Sequence, residues 1–379
     1  MNVKPPYHRV EGPESAPPLI LGPSLGTSTA LWDRVAPELS VTHRVVRWDL
    51  PGHGGSPADL IAPGATVADL AELVLTLADT LGLERFAYAG VSLGGAVGLH
   101  LAAHHPERLR SLAVVCSSAH FGGPGPWEER AALVRREGLA SLAENAPGRW
   151  FTPGFTVPEL VEGLRNTDPA GYAACCDALA AYDIRALLPD VAVPTLVVAG
   201  REDPATPPAH AREIADAVPG ATLVELAGAS HLAPAERPEA VTGALRAHFR
   251  GDPAAGMRVR REVLGDTHVD RAQSRTTPFT APFQDFISRY AWGEIWTDPT
   301  LTRRERSMVT LTALIAHGHY DELAMHVRAA RRNGLTPEEI GAVLLQNAVY
   351  CGVPAANSAF AVAQRVLAEE AAPGAPEQP

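Results

Sequence analysis

The sequence predicts two domains, a mostly parallel α/β sheet with a helical insertion and then an all-α domain. Short apolar segments alternate with helical patterns over the first half of the chain, which is typical of a parallel sheet covered by helices. Between residues 117 and 189 several helical segments follow one another instead, and we interpret them as a cap over the sheet. Beyond residue 262 nearly every segment has a helical pattern. A chain of 379 residues is long enough for two hydrophobic cores.

Six apolar segments are the predicted strands, and each is followed by Gly, Asp or Ser residues. Open α/β sheets bind ligands at the carboxyl ends of their strands, so these loops are the expected site. The predicted strands are residues 18–21, 43–49, 85–91, 109–116, 195–200 and 222–226. The pattern assigns residues 1–250 to the α/β domain, with its cap at 117–189.

A change of pattern after residue 250 predicts the domain boundary. Gly, Pro and Ala residues there suit a linker. Thr302 with Glu305 three residues later is typical of a helix N-terminus in the second domain. The final residues are Ala, Pro, Gly, Glu and Gln only, which favours disorder. The expected boundaries are a linker at 251–262, an all-α domain at 263–370 and a disordered tail at 371–379.

Composition and charge argue against two classes of partner. The formal net charge is −11 at pH 7, which disfavours nucleic acid. No apolar segment approaches the length of a membrane span, and the N-terminus lacks a signal-peptide pattern, so no membrane partner is expected. The four cysteines have no CxxC spacing and are expected to be free thiols in a reducing compartment. The expected location is the cytoplasm.

Ser92 is the candidate nucleophile. It lies in the run Gly90-Val91-Ser92-Leu93-Gly94, a GxSxG pattern between a predicted strand and a predicted helix. The two glycines allow a strained turn that presents the serine hydroxyl at the start of the helix. Because a five-residue pattern recurs by chance, its partners decide whether Ser92 is a nucleophile.

A serine nucleophile needs a base and an orienting carboxylate, which follow in α/β-hydrolases in the order Ser, Asp or Glu, His. Asp203 follows the fifth predicted strand, and His231 follows the sixth. Both lie on loops where this fold places the acid and the base. Glu202 is the rival acid. The order predicts a triad of Ser92, His231 and Asp203.

Acyl transfer also needs N–H donors directed at the developing oxyanion. We expect the backbone N–H of Leu93 to be one donor and that of Leu25, after the first strand, to be the other. The run Asp49-Leu-Pro-Gly-His-Gly-Gly-Ser56 matches a turn that α/β-hydrolases have near this site. His53, within that run, is therefore interpreted as structural rather than catalytic.

Three short runs support a narrower resemblance for the first domain. They are Ser-Leu-Gly-Thr-Ser at 24–28, Val-Ser-Leu-Gly-Gly at the elbow and Pro-Trp-Glu-Glu-Arg in the cap. With them the domain resembles β-ketoadipate enol-lactone hydrolases over essentially its whole length. The resemblance implies that the cap holds the substrate carboxylate, for which Trp127 and Arg130 are the candidates. An exposed helical charge is the alternative interpretation of Arg130.

Two runs in the second domain, Thr312–His326 and Gln346–Ala355, support another resemblance. With them the domain resembles γ-carboxymuconolactone decarboxylases, which have an all-α, AhpD-like fold. Elsewhere this fold carries a C-x-x-C pair followed by a histidine, and alignment places His319 and Glu322 at the cysteine positions and His326 at the histidine. Dithiol chemistry is therefore not expected. Spacings of three and four residues place these side chains on one helix face.

The decarboxylase resemblance implies acid/base chemistry with His326 as the proton donor and Glu322 or His319 assisting. A structural polar cluster and a metal site are the alternatives. No cofactor or metal is expected, because the lactone carbonyl of such a substrate accepts the electrons that departing CO2 leaves behind. Arg303 and its neighbours Arg304 and Arg306 are candidates for holding substrate carboxylates, with a solvated charge run as the alternative for at least two of them.

The two resemblances together imply a bifunctional enzyme of the β-ketoadipate (protocatechuate) pathway. It would decarboxylate 4-carboxymuconolactone, a small dicarboxylate lactone, to 3-oxoadipate enol-lactone and hydrolyse that lactone to 3-oxoadipate. The main rival is a generic carboxylesterase or carbon–carbon hydrolase with a non-catalytic helical oligomerisation domain. A non-enzymatic binding module is disfavoured by the complete triad order. Since the helical family tends to form ring-like oligomers, a homo-oligomer formed through the second domain is expected.

Overall fold

The structure is a computed structural model that describes residues 4–249, 253–298 and 300–371. The chain divides into two compact units, residues 1–249 and 250–379. The first unit is a sheet flanked by helices, and the second contains helices without strands among its described residues. The predicted fold class, an α/β domain with a helical cap followed by an all-α domain, is confirmed.

A seven-stranded sheet forms the centre of the first unit. Its strands are β1 His8–Glu11, β2 Pro18–Gly22, β3 Arg44–Trp48, β4 Phe86–Val91, β5 Leu109–Val115, β6 Thr195–Gly200 and β7 Thr222–Leu226. Their order across the sheet is β1-β3-β2-β4-β5-β6-β7, and every neighbouring pair is parallel except β1 with β3. The carboxyl ends of strands β2 to β7 therefore all lie at one edge of the sheet.

The six predicted strands agree with β2 to β7 to within one or two residues, but β1 was not predicted. Its sequence His-Arg-Val-Glu has one apolar residue, and Val10 is exposed at the sheet edge. An edge strand with no buried face gives no hydrophobic alternation for a sequence pattern to reveal. It adds to the sheet through backbone pairing with β3.

Among the described residues of the first unit, ten α-helices surround the sheet or form the cap. They are α1 Ala36–Leu39, α2 Val67–Thr80, α3 Leu93–His104, α4 Pro124–Glu137, α5 Ala140–Trp150, α6 Pro158–Arg165, α7 Pro169–Ala180, α8 Pro208–Ala217, α9 Ala233–Glu236 and α10 Pro238–Phe249. The cap comprises α4 to α7, inside the predicted range. A single bridge between His120 and Asp183 joins the segment that enters the cap to the segment that leaves it.

The second unit contains α11 Pro253–Leu264, α12 Asp266–Ser274, α13 Ala281–Ile287, α14 Arg303–His317, α15 Tyr320–Arg332, α16 Pro337–Tyr350 and α17 Val353–Ala371, with a π-helix at Ser288–Ile295. The predicted N-terminus at Thr302 is present, since its hydroxyl and the Glu305 carboxylate cap one another's backbone N–H groups. π-Helical turns are rare in proteins overall, and those that do occur are often near functional sites.

The predicted linker at 251–262 is helical from Pro253 onward, which corrects that boundary. Val259 and Val263 of α11 are buried in an apolar cluster with Val269, Trp292 and Ala329. Burial of these side chains explains why a segment that begins with Gly, Pro and Ala continues as a helix of the second unit. Residues 251–252 lie outside the described residues, as do residues 372–379 of the predicted tail.

Across the described ranges, none of the helices combines the length and apolarity that a bilayer crossing requires.

Candidate functional sites

Ser92 occupies a strained turn between β4 and α3. Its backbone has φ 55° and ψ −114°, a left-handed conformation that non-glycine residues rarely adopt. A Cβ on Gly90 would lie 2.2 Å from the carbonyl carbon of Gly94, and one on Gly94 would lie 2.7 Å from the Pro23 carbonyl oxygen. The turn therefore needs glycine at both positions. The predicted elbow is present, with Ser92 directly before the N-terminus of α3.

Asp203 and His231 are in direct contact after β6 and β7. The His231 Nδ1 lies 2.8 Å from Asp203 Oδ2, and both side chains are buried. The other Asp203 oxygen accepts the backbone N–H groups of Ala205 and Thr206, at 2.7 and 3.0 Å. Burial opposes ionisation of Asp203, but the charge and hydrogen bond of His231 and the bonds from Thr206 outweigh it, so the pKa of Asp203 is lowered. An ionised Asp203 keeps the proton of His231 on Nδ1 and leaves Nε2 as the base.

Two hydrogen bonds connect the serine turn, through the end of β5, to the histidine loop across the sheet edge. Ser92 N–H donates to Val115 O at 3.0 Å, and the Cys116 thiol donates to Ser230 O at 3.5 Å. Ser92, Asp203 and His231 thus lie on loops at the same edge. The rival acid Glu202 instead accepts the N–H groups of Gly228 and Ala229, before His231. Its position makes it a support of the loop rather than a partner of the imidazole.

Glu236 is a functional residue that the sequence analysis missed. Its buried carboxylate accepts Ser230 N–H at 2.7 Å on one oxygen and Thr152 N–H at 2.9 Å on the other. It thereby ties the histidine loop to the cap segment that follows α5. A charged residue in the apolar run Leu-Ala-Pro-Ala-Glu directly after His231 was the available signal.

The expected oxyanion donors lie beside a loop that His53 fixes. Gly26 N–H donates to His53 Nε2 at 3.1 Å, so the ring proton is on Nδ1, which donates to Pro51 O at 2.8 Å. Burial lowers the pKa of His53 to about 4, which keeps it the neutral acceptor that Gly26 needs. Within the described part of the chain, neither Leu25 N–H nor Leu93 N–H donates a hydrogen bond. Both amides therefore remain available to a ligand.

The two cap candidates form one cluster. The Arg130 guanidinium lies 5.0 Å from the centre of the Trp127 ring, and its charge acts on the buried Tyr172 phenol. Arg149, which the sequence analysis did not single out, is near enough that burial and the charge of Arg130 lower its pKa. Asp203 acts on Arg149 electrostatically in the opposite sense. Two guanidinium groups near the triad acid suit a substrate that carries a carboxylate.

The second unit holds His326 on α15, half-buried, with Glu322 one helical turn before it. Burial and the nearby His268 lower the pKa of His326 to about 4, against the opposing influence of Glu322. His268, on α12, was not predicted as a site residue. It lies near enough to His326 to act on it electrostatically, so the candidate site includes a residue of α12 as well as residues of α15.

His319 does not share the helix face that spacing predicted. Gly318 ends α14 in a left-handed conformation, and His319 is the N-cap of α15, with φ −84° and ψ 69°. Its exposed ring stacks on His317 of the preceding helix, with centroids 6.0 Å apart. Helical spacing holds only inside a helix, so the i, i+3 argument fails at a cap residue.

The three arginines at the start of α14 are engaged in the fold. Arg303 pairs with Glu262, Arg304 with Glu339, and Arg306 with Asp298 at 3.2 Å. These contacts favour the structural interpretation for all of them. Within the ranges that the structure describes, there is no group of three His, Cys, Asp or Glu side chains able to hold a metal ion.

Three family models match separate parts of the chain. The alpha/beta hydrolase fold matches residues 17–144, the TAP-like protein family residues 172–254, and the Carboxymuconolactone decarboxylase family residues 281–365. The matches to the first unit include Ser92, Asp203 and His231. The match to the second unit includes His319, Glu322 and His326.

Individual proteins resemble each unit over most of their own length. The chain is 36% identical to "3-oxoadipate enol-lactonase 2" of Acinetobacter baylyi over 62% of this chain and 90% of that protein. It is 46% identical to "4-carboxymuconolactone decarboxylase" of the same organism over 30% of this chain and 84% of that protein. The crystal structure of the enol-lactonase from Burkholderia xenovorans is 37% identical, with a TM-score of 0.62, and the match covers 64% of this chain and 95% of that one.

Proposed function

The chain belongs to the enol-lactonase branch of the α/β-hydrolases in its first unit and to the carboxymuconolactone decarboxylase family in its second, and from this premise we propose that it catalyses two consecutive reactions. It decarboxylates 4-carboxymuconolactone to 3-oxoadipate enol-lactone and hydrolyses that lactone to 3-oxoadipate. The observation that carries the hydrolytic half is the 2.8 Å contact of His231 with Asp203 at the sheet edge that bears the Ser92 elbow. Both families that the sequence motifs indicated are confirmed, and both are families of enzymes.

In the proposed hydrolysis, Ser92 Oγ attacks the lactone carbonyl carbon while His231 Nε2 takes the serine proton. The tetrahedral oxyanion accepts N–H donation from Leu93 and Leu25. The ring C–O bond then breaks, the enol oxygen takes the proton back from His231, and the enol becomes a ketone. A water molecule, deprotonated by His231, releases the acyl group from Ser92 as 3-oxoadipate.

In the proposed decarboxylation, the bond between the ring carbon and the carboxylate breaks. Its electron pair moves through the conjugated ring onto the lactone carbonyl oxygen, and CO2 leaves. The negative charge of the bound substrate favours the protonated form of His326. His326 then delivers its proton to the ring carbon next to the lactone carbonyl, which restores the carbonyl and leaves the ring double bond at the carbon that lost CO2, as in the enol-lactone. The substrate itself accepts the electrons, so the side chains need only position it and supply the proton.

The rival function is a generic carboxylesterase with a non-catalytic helical unit. The partly buried His326, whose pKa is lowered by burial and by the nearby His268, favours the two-step proposal, because titratable groups with perturbed pKa values cluster at functional sites. The kcat/KM values for the enol-lactone and for simple esters distinguish the two proposed functions directly.

The experiment is incubation of the pure protein with 4-carboxymuconolactone while CO2 and 3-oxoadipate are followed. Ser92→Ala should leave CO2 release intact and make enol-lactone accumulate, since it removes only the nucleophile. His326→Ala should stop CO2 release but keep hydrolysis of added enol-lactone. Loss of CO2 release in a folded Ser92→Ala protein would contradict the two-site proposal.

A further inference from the structure

Arg260, on α11, is a buried cation without a counter-ion. Its exposed fraction is 5%, and its Nη1 donates to the neutral Gln284 Oε1 at 3.0 Å. Its buried Nε has no hydrogen-bond partner, and no carboxylate within the described ranges forms an ion pair with it. An arginine stays charged in proteins, and a buried charge is costly unless it is paired. Such a residue indicates a place where a ligand supplies the negative charge.

Neighbouring arginines differ from Arg260 in this respect. Arg261, the next residue, lies 3.0 Å from an Asp266 oxygen and 2.6 Å from an Asp270 oxygen. Arg303, at the start of α14, pairs with Glu262 of α11. The acidic residues that flank Arg260 in the sequence are therefore committed to other cations, and the buried guanidinium keeps its full attraction for an anion.

The position of Arg260 connects it to the proposed decarboxylation site. After burial, the charge of Arg260 is the largest influence that lowers the pKa of His268, followed by the charges of Arg271 and Arg332. His268 in turn acts on His326. Arg260 also lies on the helix whose residues Val259 and Val263 pack against Trp292 of the π-helix. The same apolar cluster includes Ala329 of α15 and contacts Met325, the residue before His326, so α11 packs beside the helix that carries the proposed proton donor.

We propose that Arg260 and His268 bind a carboxylate of the substrate in the helical unit, beside His326. This inference rests on the proposed function and specifies its substrate class: an acid with one carboxylate to lose and a second one to hold. A cation on the departing carboxylate would stabilise the ground state more than the transition state and so oppose its loss. Arg260 therefore holds the carboxylate that remains, and the departing one lies toward the apolar cluster, where desolvation favours release of neutral CO2.

The first experiment compares Arg260→Gln with the matched control Arg261→Gln in the full chain. KM for CO2 release should rise about 100-fold in Arg260→Gln, the loss expected when one partner of a buried charge pair is removed, and kcat should change much less. Arg261→Gln should leave KM nearly unchanged, and Arg260→Lys should recover part of the loss. Hydrolysis of added enol-lactone by the first unit is the internal control in each variant.

The second experiment measures anion binding without turnover, with succinate as the probe. In protein labelled at histidine, succinate should shift the ring NMR signals of His268 and His326 in the wild type and in Arg261→Gln, but not in Arg260→Gln. An unchanged KM, or an unchanged succinate response, in folded Arg260→Gln protein would overturn the inference. Arg260-dependent succinate binding in a protein that releases no CO2 would overturn the proposed decarboxylation and leave the anion site standing.

Discussion

His53 illustrates how one buried ring can support a catalytic loop without touching the substrate. It is fully buried, accepts Gly26 N–H and donates to Pro51 O. The adjacent Leu25 N–H is thereby oriented by a hydrogen bond that depends on a neutral imidazole. This role requires an imidazole that is neutral near pH 7, and the burial of His53 keeps its imidazole neutral.

The depressed pKa of His53 predicts a pH dependence of stability. Burial lowers it from 6.5 to about 4, so the unfolded state binds more protons between these values. The contribution, about 3 kcal/mol at most, is fully present above pH 6.5 and is lost as pH falls toward 4. The urea transition that abolishes lactone hydrolysis should move to lower urea between pH 7.5 and pH 5.

The matched variants for this prediction are His53→Gln, which cannot titrate, and His8→Gln, at the partly exposed edge strand β1. The shift of the urea midpoint with pH should be smaller in His53→Gln than in the wild type and unchanged in His8→Gln. An identical pH dependence in all three proteins would mean that His53 is not the source.

The residues that sequence reasoning missed share one physical property, which is that their roles depend on distant partners. Ser92, Asp203 and His231 could be predicted because each follows a strand in a fixed order. Arg260, by contrast, has no feature in the sequence that separates it from Arg261, since only packing buries the first and leaves the second partly exposed. The contact of Glu236 with Thr152 likewise joins segments far apart in the chain.

At the scale of elements, capping patterns predicted where a helix begins more reliably than periodicity predicted which side chains share a helix face. The Thr302 and Glu305 capping pair marks the start of α14 because its partners are local. Periodicity failed at His319, where a left-handed Gly318 ends one helix before the next begins. The three-residue spacing is present in the sequence, but the backbone at His319 is not helical, so the spacing does not place that side chain on the helix face.

The contact between α11 and the π-helix should limit the stability of the second unit. A Cβ on Gly256 would lie 1.9 Å from the backbone oxygen of Ser288, so neither group can move aside without shifting a helix. Gly256→Ala should therefore lower the temperature of the second unit's transition in scanning calorimetry and reduce CO2 release. We expect a destabilisation of about 1–3 kcal/mol, typical of overpacking.

Gly341, in α16, is the matched control because a Cβ there would meet nothing within 4 Å. Gly341→Ala should raise stability by about 0.5–1 kcal/mol through better helix propensity. Equal effects of the two substitutions would contradict the proposed close contact.

At the scale of the whole molecule, one group of exposed apolar side chains lies at the junction of α16 and α17. Val349, Tyr350 and Val353 have exposed fractions of 79%, 80% and 70%. Contiguous exposed apolar residues of this kind mark association surfaces. We propose that the chain self-associates through this part of the second unit, in line with the homo-oligomer that the family resemblance implies.

The variant that tests self-association is Val349→Lys, which places a charge on this surface and should lower the mass measured by light scattering after gel filtration. Val41→Lys is its control, because Val41 is 62% exposed and belongs to the first unit. A mass unchanged by Val349→Lys, or lowered equally by Val41→Lys, would count against the proposed surface.

The bridge between His120 and Asp183 has a consequence for how such enzymes diverge. It brings the two ends of the cap together beside β5 and β6, and Ile184 N–H reinforces it by donating to Ala119 O at 3.0 Å. The cap is therefore a cassette with adjoining ends, and its exchange would leave the strands beneath it in place. Evolution, or an engineer, can replace the cap helices while retaining the strands that carry the triad, provided that the new cap supplies a partner for Glu236 in place of Thr152.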